Sequence, residues 1–188
     1  MSRTDGKSIN LENPEELFDW LTKIVTDEIY TEDVLTNALV KLKIWELAKR
    51  QNLHVKFEWR YLEKEKRMID FACLSEKKPL LALEIQNSTR WHDIKNDLDK
   101  LDECESEIKF GVFHVGLTED KSSKAKENAD KKARKLFEKI KEFIDKRKSR
   151  KKWLLAIGTA VESRSWYYGF VLENGQWRGL GKKSLKRE

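Results

Sequence analysis

Two apolar runs, Met68 to Leu74 and Leu80 to Gln86, joined by the short polar stretch Ser75-Glu76-Lys77-Lys78-Pro79, constrain this chain more than any other feature. Each run is apolar at odd and even positions alike, as a strand buried on both faces must be, so the pair predicts a hairpin in the middle of a sheet. Two carboxylates, Asp70 and Glu84, intrude on these runs. If the connection is centred on Lys77, antiparallel partners have residue numbers that sum to 154, and Asp70 then lies directly opposite Glu84. Opposed side chains share a face with Cβ atoms ~4.5–5.5 Å apart, and strand alternation adds Gln86 to that face. Two carboxylates so close repel each other and are costly to bury unless a cation or a shared proton compensates. A hard divalent cation, Mg2+ or Mn2+, is the economical explanation, since carboxylate oxygens and water match its ligand preference.

The flanking segments predict the rest of the sheet and its cover. Asn13-Pro14-Glu15-Glu16 reads as an N-cap, a proline in the first turn and acids at the positive end of the helix dipole, starting a helix that runs to about Val25. Thr31-Glu32-Asp33 starts a second, longer helix with Val34, Leu35, Ala38, Leu39, Leu42, Trp45 and Leu47 as its apolar stripe, ending near Gln51. Leu53, Val55, Phe57 and Trp59 alternate with polar residues as a half-buried strand requires, and Glu63 to Lys66 reads as a polar turn. Asp93 to about Glu103 predicts a helix with Ile94, Leu98 and Leu101 on one side, and Ile108 to Val115 a strand. Lys121 to roughly Arg150 predicts a long basic helix. Trp153 to Val161 is a further strand, and Trp166 to Leu180 a closing hairpin about an Asn174-Gly175 turn. Gly181 to Glu188 reads as a basic tail. The expected fold is therefore α/β, a central mixed sheet flanked by helices, in one domain with no internal repeat.

Length agrees with this, since 188 residues suit one domain. Seven Trp and eight Phe supply large apolar anchors in an otherwise polar chain, which argues against wholesale disorder. No apolar run reaches the ~20 residues of a membrane helix and residues 1–10 have no signal-peptide core, so the expectation is a cytoplasmic protein that engages no membrane. Cys73 and Cys104 are too few for a disulfide framework or a thiolate zinc site, and leave open a single bridge between them. Charge is unevenly placed: residues 1–40 carry 3 basic and 9 acidic side chains, residues 121–188 carry 21 and 8. The electropositive last third suits a polyanion such as nucleic acid, or else is a solvated Lys/Glu helix.

Asp70, the turn and Glu84-Ile85-Gln86 resemble the D…(D/E)xK signature of the PD-(D/E)XK nuclease superfamily, and the order of helix, three strands, helix and strand from about Thr31 to Gly116 is similar to that superfamily's restriction-endonuclease-like core. The resemblance implies Asp70 and Glu84 as metal ligands, the Ile85 carbonyl beside them, Mg2+ or Mn2+ as cofactor, and DNA rather than RNA as substrate. Ile69 stands where the family has proline, a common variation. Gln86 stands where the family has its lysine, and a neutral amide can orient a water but cannot stabilise a developing negative charge. Some restriction endonucleases, and a nuclease family related to bacterial competence proteins, resemble this chain in having E-x-Q; the latter also has a serine two residues on, as Ser88 is here.

Lys95, one turn into the following helix, is the candidate for the missing positive charge, set against its reading as an ordinary exposed helix lysine. Glu58, Glu32 and Glu46 are weaker candidates for a further acid. His54, His92 and His114 fall on separate elements without metal-ligand spacing; only His92 is placed to touch substrate. Lys131, Lys132, Lys135, Lys139, Arg147 and Arg150 are the candidate nucleic-acid contacts. Trp166, Tyr167, Tyr168 and Trp177 suit stacking on bases, or else a core or homodimer interface. The activity expected is endonuclease hydrolysis of phosphodiesters by a metal-activated water. The alternatives are a nucleic-acid-binding protein on the same fold without turnover, and a protein-interaction domain.

Overall fold

The computed structural model describes residues 10–28, 33–62, 67–76, 78–118, 123–161 and 164–185. Two helices, α1 (Pro14–Glu28) and α2 (Asp33–Arg50), lead into an antiparallel run β1 (His54–Leu62), β2 (Arg67–Ser75) and β3 (Lys78–Gln86). Helix α3 (Trp91–Glu103), β4 (Ile108–Thr118), α4 (Ser123–Lys146), β5 (Lys152–Val161), β6 (Arg164–Glu173) and β7 (Gln176–Leu185) complete the chain. All seven strands form one sheet in sequence order. Strands β3, β4 and β5 are parallel and the other neighbours antiparallel. The fold is thus α/β with a mixed sheet. The turn at Glu63 to Lys66, Glu32 and the expected helix start at Lys121 lie outside the described residues.

Each helix buries one stripe on one face of the sheet. Leu17, Phe18 and Leu21 of α1 and Ile44, Leu47 and Ala48 of α2 pack on Phe71, Leu81, Leu83, Phe110 and Leu154. Ile94, Leu98 and Leu101 of α3 and Ala133, Ile140 and Ile144 of α4 pack on Ala82, Phe113, Trp153 and Leu155 of the opposite face. The β3-α3-β4 and β4-α4-β5 crossovers therefore lie on the same side, as two successive crossovers of one hand must when the strand order advances in one direction. Asn13 caps α1 as its sequence implies, its Oδ1 accepting from the Glu15 N–H at 3.0 Å.

Several expectations shift. Leu42, placed in the α2 stripe, is 46% exposed, and Ile44 takes the buried position. Helix α4 ends at Lys146, not near Arg150, because Lys148 adopts φ +52 and the last N–H groups bond three residues back. The segment from Gly181 to Leu185 is not a tail: β7 continues through it, paired with β6 beyond a register shift between Gly169 and Phe170. The Asn174-Gly175 turn is as expected, both residues having positive φ, 53° and 75°, between the paired Glu173 and Gln176. Cys73 and Cys104 are free and belong to core clusters on opposite faces of the sheet, so no bridge joins them. Burial pushes the Cys73 thiol up to about 12, which leaves it inert.

Candidate active site at the splayed ends of β2 and β3

The β2–β3 ladder keeps the sum of 154 from Cys73↔Leu81 to Phe71↔Leu83, with a one-residue shift near the turn. One step beyond Phe71 the strands part. The Ile85 N–H donates not to the β2 backbone but to Asp70 Oδ2, at 3.0 Å. On the other flank Glu58, at φ +47, interrupts β1 between the Phe57↔Phe71 and Trp59↔Ile69 pairs, across from Asp70. Across this step Phe71 joins one core cluster and Ile69 the other. Asp70 is thereby left at the opening, with Lys41 of α2 3.5 Å from its Oδ1.

Glu84 faces α3 and is 1% exposed. Burial, and next the charge of Asp70, push its carboxyl up to about 9, against the pull of Lys100. The two carboxyls are thus close enough for Asp70 to oppose the ionisation of Glu84, although the strands no longer pair there. Lys100 Nζ lies 2.7 Å from Glu84 Oε1 and 2.7 Å from Asp97 Oδ1. Although burial works against its charge, Glu84 and Asp97 hold the Lys100 ammonium above its ordinary range.

Gln86 bonds through both ends of its amide. Its Nε2 donates to Asp97 Oδ2 at 2.7 Å and its Oε1 accepts from the Ser88 N–H at 2.8 Å. It therefore braces Asp97, which in turn holds Lys100. Ser88 Oγ donates to Asp93 Oδ2 at 2.5 Å, and Arg90 Nε reaches the same oxygen at 2.7 Å. Those two bonds keep the Asp93 carboxyl below its usual range and fix the entry to α3.

Lys95 is corrected by the geometry: it is exposed and its Nζ lies 3.6 Å from Asp99, so the charge at Glu84 comes from Lys100, five residues on. Sequence reasoning missed both Asp97 and Lys100. A signal existed, because Asp97 falls three residues after Ile94 and four before Leu101 on the buried stripe, where an acid needs a partner. Glu46 pairs with Lys43 at 3.4 Å, and Glu58 is exposed. His92 meets Asn96 at 3.3 Å, whereas His114 bonds the Tyr167 hydroxyl at 2.7 Å in a different part of the sheet.

Asp70, Glu84 and the Ile85 carbonyl fit a hard divalent cation. Within one extended residue the N–H and C=O leave the same strand edge, so the Ile85 carbonyl leaves β3 on the side of Asp70. Among the described residues no three His, Cys, Asp or Glu side chains form a metal cluster. Two carboxylates with water and substrate oxygens are the donor set of Mg2+, not of zinc. No protein family model and no curated protein matches this chain. No helix among the described residues is long and apolar enough to cross a membrane.

The pair carries a pH dependence. Between pH about 4.5 and about 9 the folded chain keeps on Glu84 a proton that the unfolded chain has released. Rising pH therefore favours unfolding across that window. In EDTA, wild-type protein should lose of order 2 kcal/mol more stability between pH 5 and pH 9 than Glu84→Gln does. Denaturant titrations at both pH values read the difference; parallel losses in the two proteins would exclude the strained carboxylate.

Proposed function

We propose that the chain is a divalent-metal-dependent endonuclease with a restriction-endonuclease-like core, hydrolysing phosphodiester bonds of DNA, with RNA the less favoured substrate. The observation that carries this is the Asp70 carboxyl at the splayed strand ends, near enough to Glu84 to disfavour its ionisation, with the Lys100 ammonium at the second carboxyl. Asp70, Glu84 and the Ile85 carbonyl would hold Mg2+ or Mn2+. The cation would lower the pKa of a bound water and neutralise phosphate charge. The protein's own groups do the rest. Lys100 supplies the positive charge that Gln86 lacks, and Asp97 and Gln86 keep it from swinging into solvent. Lys41 balances the Asp70 carboxylate from the other face of the sheet.

The same contact favours a second reading, a nucleic-acid-binding protein without turnover. An ammonium 2.7 Å from Glu84 Oε1 already occupies an oxygen that a cation would need. Incubation with linear, single-stranded and branched DNA, and with RNA, in EDTA, Mg2+ and Mn2+ separates the two. Cleavage only with metal supports the nuclease; retention of DNA without cleavage in either metal supports the second reading. Lys100→Gln should lower turnover by about 10²-fold, the scale for losing one electrostatic stabiliser. Lys95→Gln should stay within about twofold, since an exposed helix pair contributes little. Equal effects of the two would remove Lys100 from the site.

A further inference from the structure

The lysines of α4 are not equivalent. Lys131 pairs with Glu127 and Lys141 with Asp145, each at 2.6 Å, and Asp130 takes Lys182 at 3.1 Å. At ~100° per residue, Lys132, Lys135 and Lys139 fall on the flank turned towards α3. Lys139 Nζ stands 5.4 Å from the Trp91 ring, and Phe143, one turn further, packs edge-on against the same ring at 6.2 Å. All three lysines are exposed, and among the described residues none has a carboxylate partner. Three like charges along one ridge, spanning roughly 10 Å from Lys132 to Lys139 at 1.5 Å per residue, destabilise the helix slightly unless a polyanion meets them.

The ridge meets the start of α3, the helix that carries Asp97 and Lys100. Trp91, on which Lys139 rests, opens α3 five residues after Gln86. Arg90, 80% exposed and held by Asp93, lies at that junction.

We propose that Lys132, Lys135 and Lys139 form a track for the sugar-phosphate backbone of a nucleic-acid strand leading to the Asp70–Glu84 opening. It rests on the nucleic-acid part of the reading above, not on turnover. The contact is to phosphates and independent of base, because the aromatics suited to stacking are engaged. Trp166 donates to Asp130 at 3.0 Å, and Lys182 covers both Trp166 and Tyr168. Tyr167 is buried, and Trp177 donates to Asp145 at 2.8 Å while packed on Phe137. Three sequence candidates lie off this ridge. Lys131 is paired, and Arg147 lies beyond the helix, bonded to Asp99, 3.3 Å from Asp102 and 3.6 Å from the Phe143 ring. Arg150 borders a cleft with Lys148, Ser149 and Asn174, just before β5 begins at Lys152, at the opposite end of the sheet from Gln86.

The test uses the full chain in EDTA, so that binding is read without cleavage. A ridge variant, Lys132→Gln/Lys135→Gln/Lys139→Gln, is compared with Lys131→Gln/Arg134→Gln/Lys141→Gln, which loses the same charge from the rest of the helix's exposed face. Binding to fluorescent duplex and single-stranded DNA is followed by anisotropy from 50 to 200 mM salt. The ridge variant should lose about 10- to 100-fold in affinity, and its slope of log K against log salt should flatten by about 2 to 3. The control should lose less than about threefold and keep its slope. Equal losses in both variants, or none in the ridge variant, would overturn the proposal. Ridge-dependent binding without cleavage in any metal would keep this inference and refute the nuclease; metal-dependent cleavage indifferent to the ridge would do the reverse.

Discussion

Asp70→Asn should abolish metal-dependent cleavage, lowering the rate by on the order of 10³-fold or more, while leaving the fold intact. The amide Oδ1 can still accept from the Ile85 N–H that Asp70 Oδ2 now binds, so the splayed strand ends keep their tether. What is lost is the charge at the mouth of the site. Lys41 then loses its anionic partner, a part-exposed contact at 3.5 Å, worth little to stability. A midpoint of unfolding within about 1 kcal/mol of wild type, together with lost cleavage, would separate chemistry from folding. Cleavage that survives the substitution would place the reaction elsewhere.

Lys109→Met should be the most destabilising of the substitutions considered, by about 2–4 kcal/mol. Lys109 is 1% exposed on β4. Its Nζ donates to the carbonyls of Leu101 at 2.6 Å, Asp102 at 2.5 Å and Cys104 at 3.1 Å. These are the carbonyls that end α3, which have no partner within their own helix, and the ammonium also meets the negative end of the helix dipole. Methionine fills the same space without a donor and leaves several acceptors buried and unmet. Urea titration of the variant measures the loss; a change under about 0.5 kcal/mol would mean that water satisfies the same carbonyls. The loss should also reach the site, because α3 carries Asp97 and Lys100.

The sheet was legible in the sequence because its signals are local. Two doubly apolar runs about a polar turn, and an Asn-Gly pair between strands, each specify a hairpin whose register follows from counting. The same count holds as far as Phe71↔Leu83, one step short of Asp70 and Glu84, where the strands part. Tertiary geometry decided what local pattern could not. Lys95 is nearer the motif along the chain, but Lys100 follows Asp97 by three residues and so shares its helix face. Lys109 reads as a flaw in an apolar strand until the end of α3 is placed beside it. Leu42 and Ile44 are equally apolar, and only the path of α2 over β1 decides which one is buried. The stretch from Gly181 to Leu185 has tail-like composition, yet β6 offers it a free edge to pair with.

The central claim is that Asp70 and Glu84 together hold one divalent cation. Mn2+ binding followed by electron paramagnetic resonance tests it without requiring turnover or a known substrate. Wild-type protein should bind Mn2+, Mg2+ should compete for it, and Asp70→Asn and Glu84→Gln should each weaken binding by at least about tenfold. Wild-type protein that binds no Mn2+, or binding indifferent to both substitutions, would contradict the account.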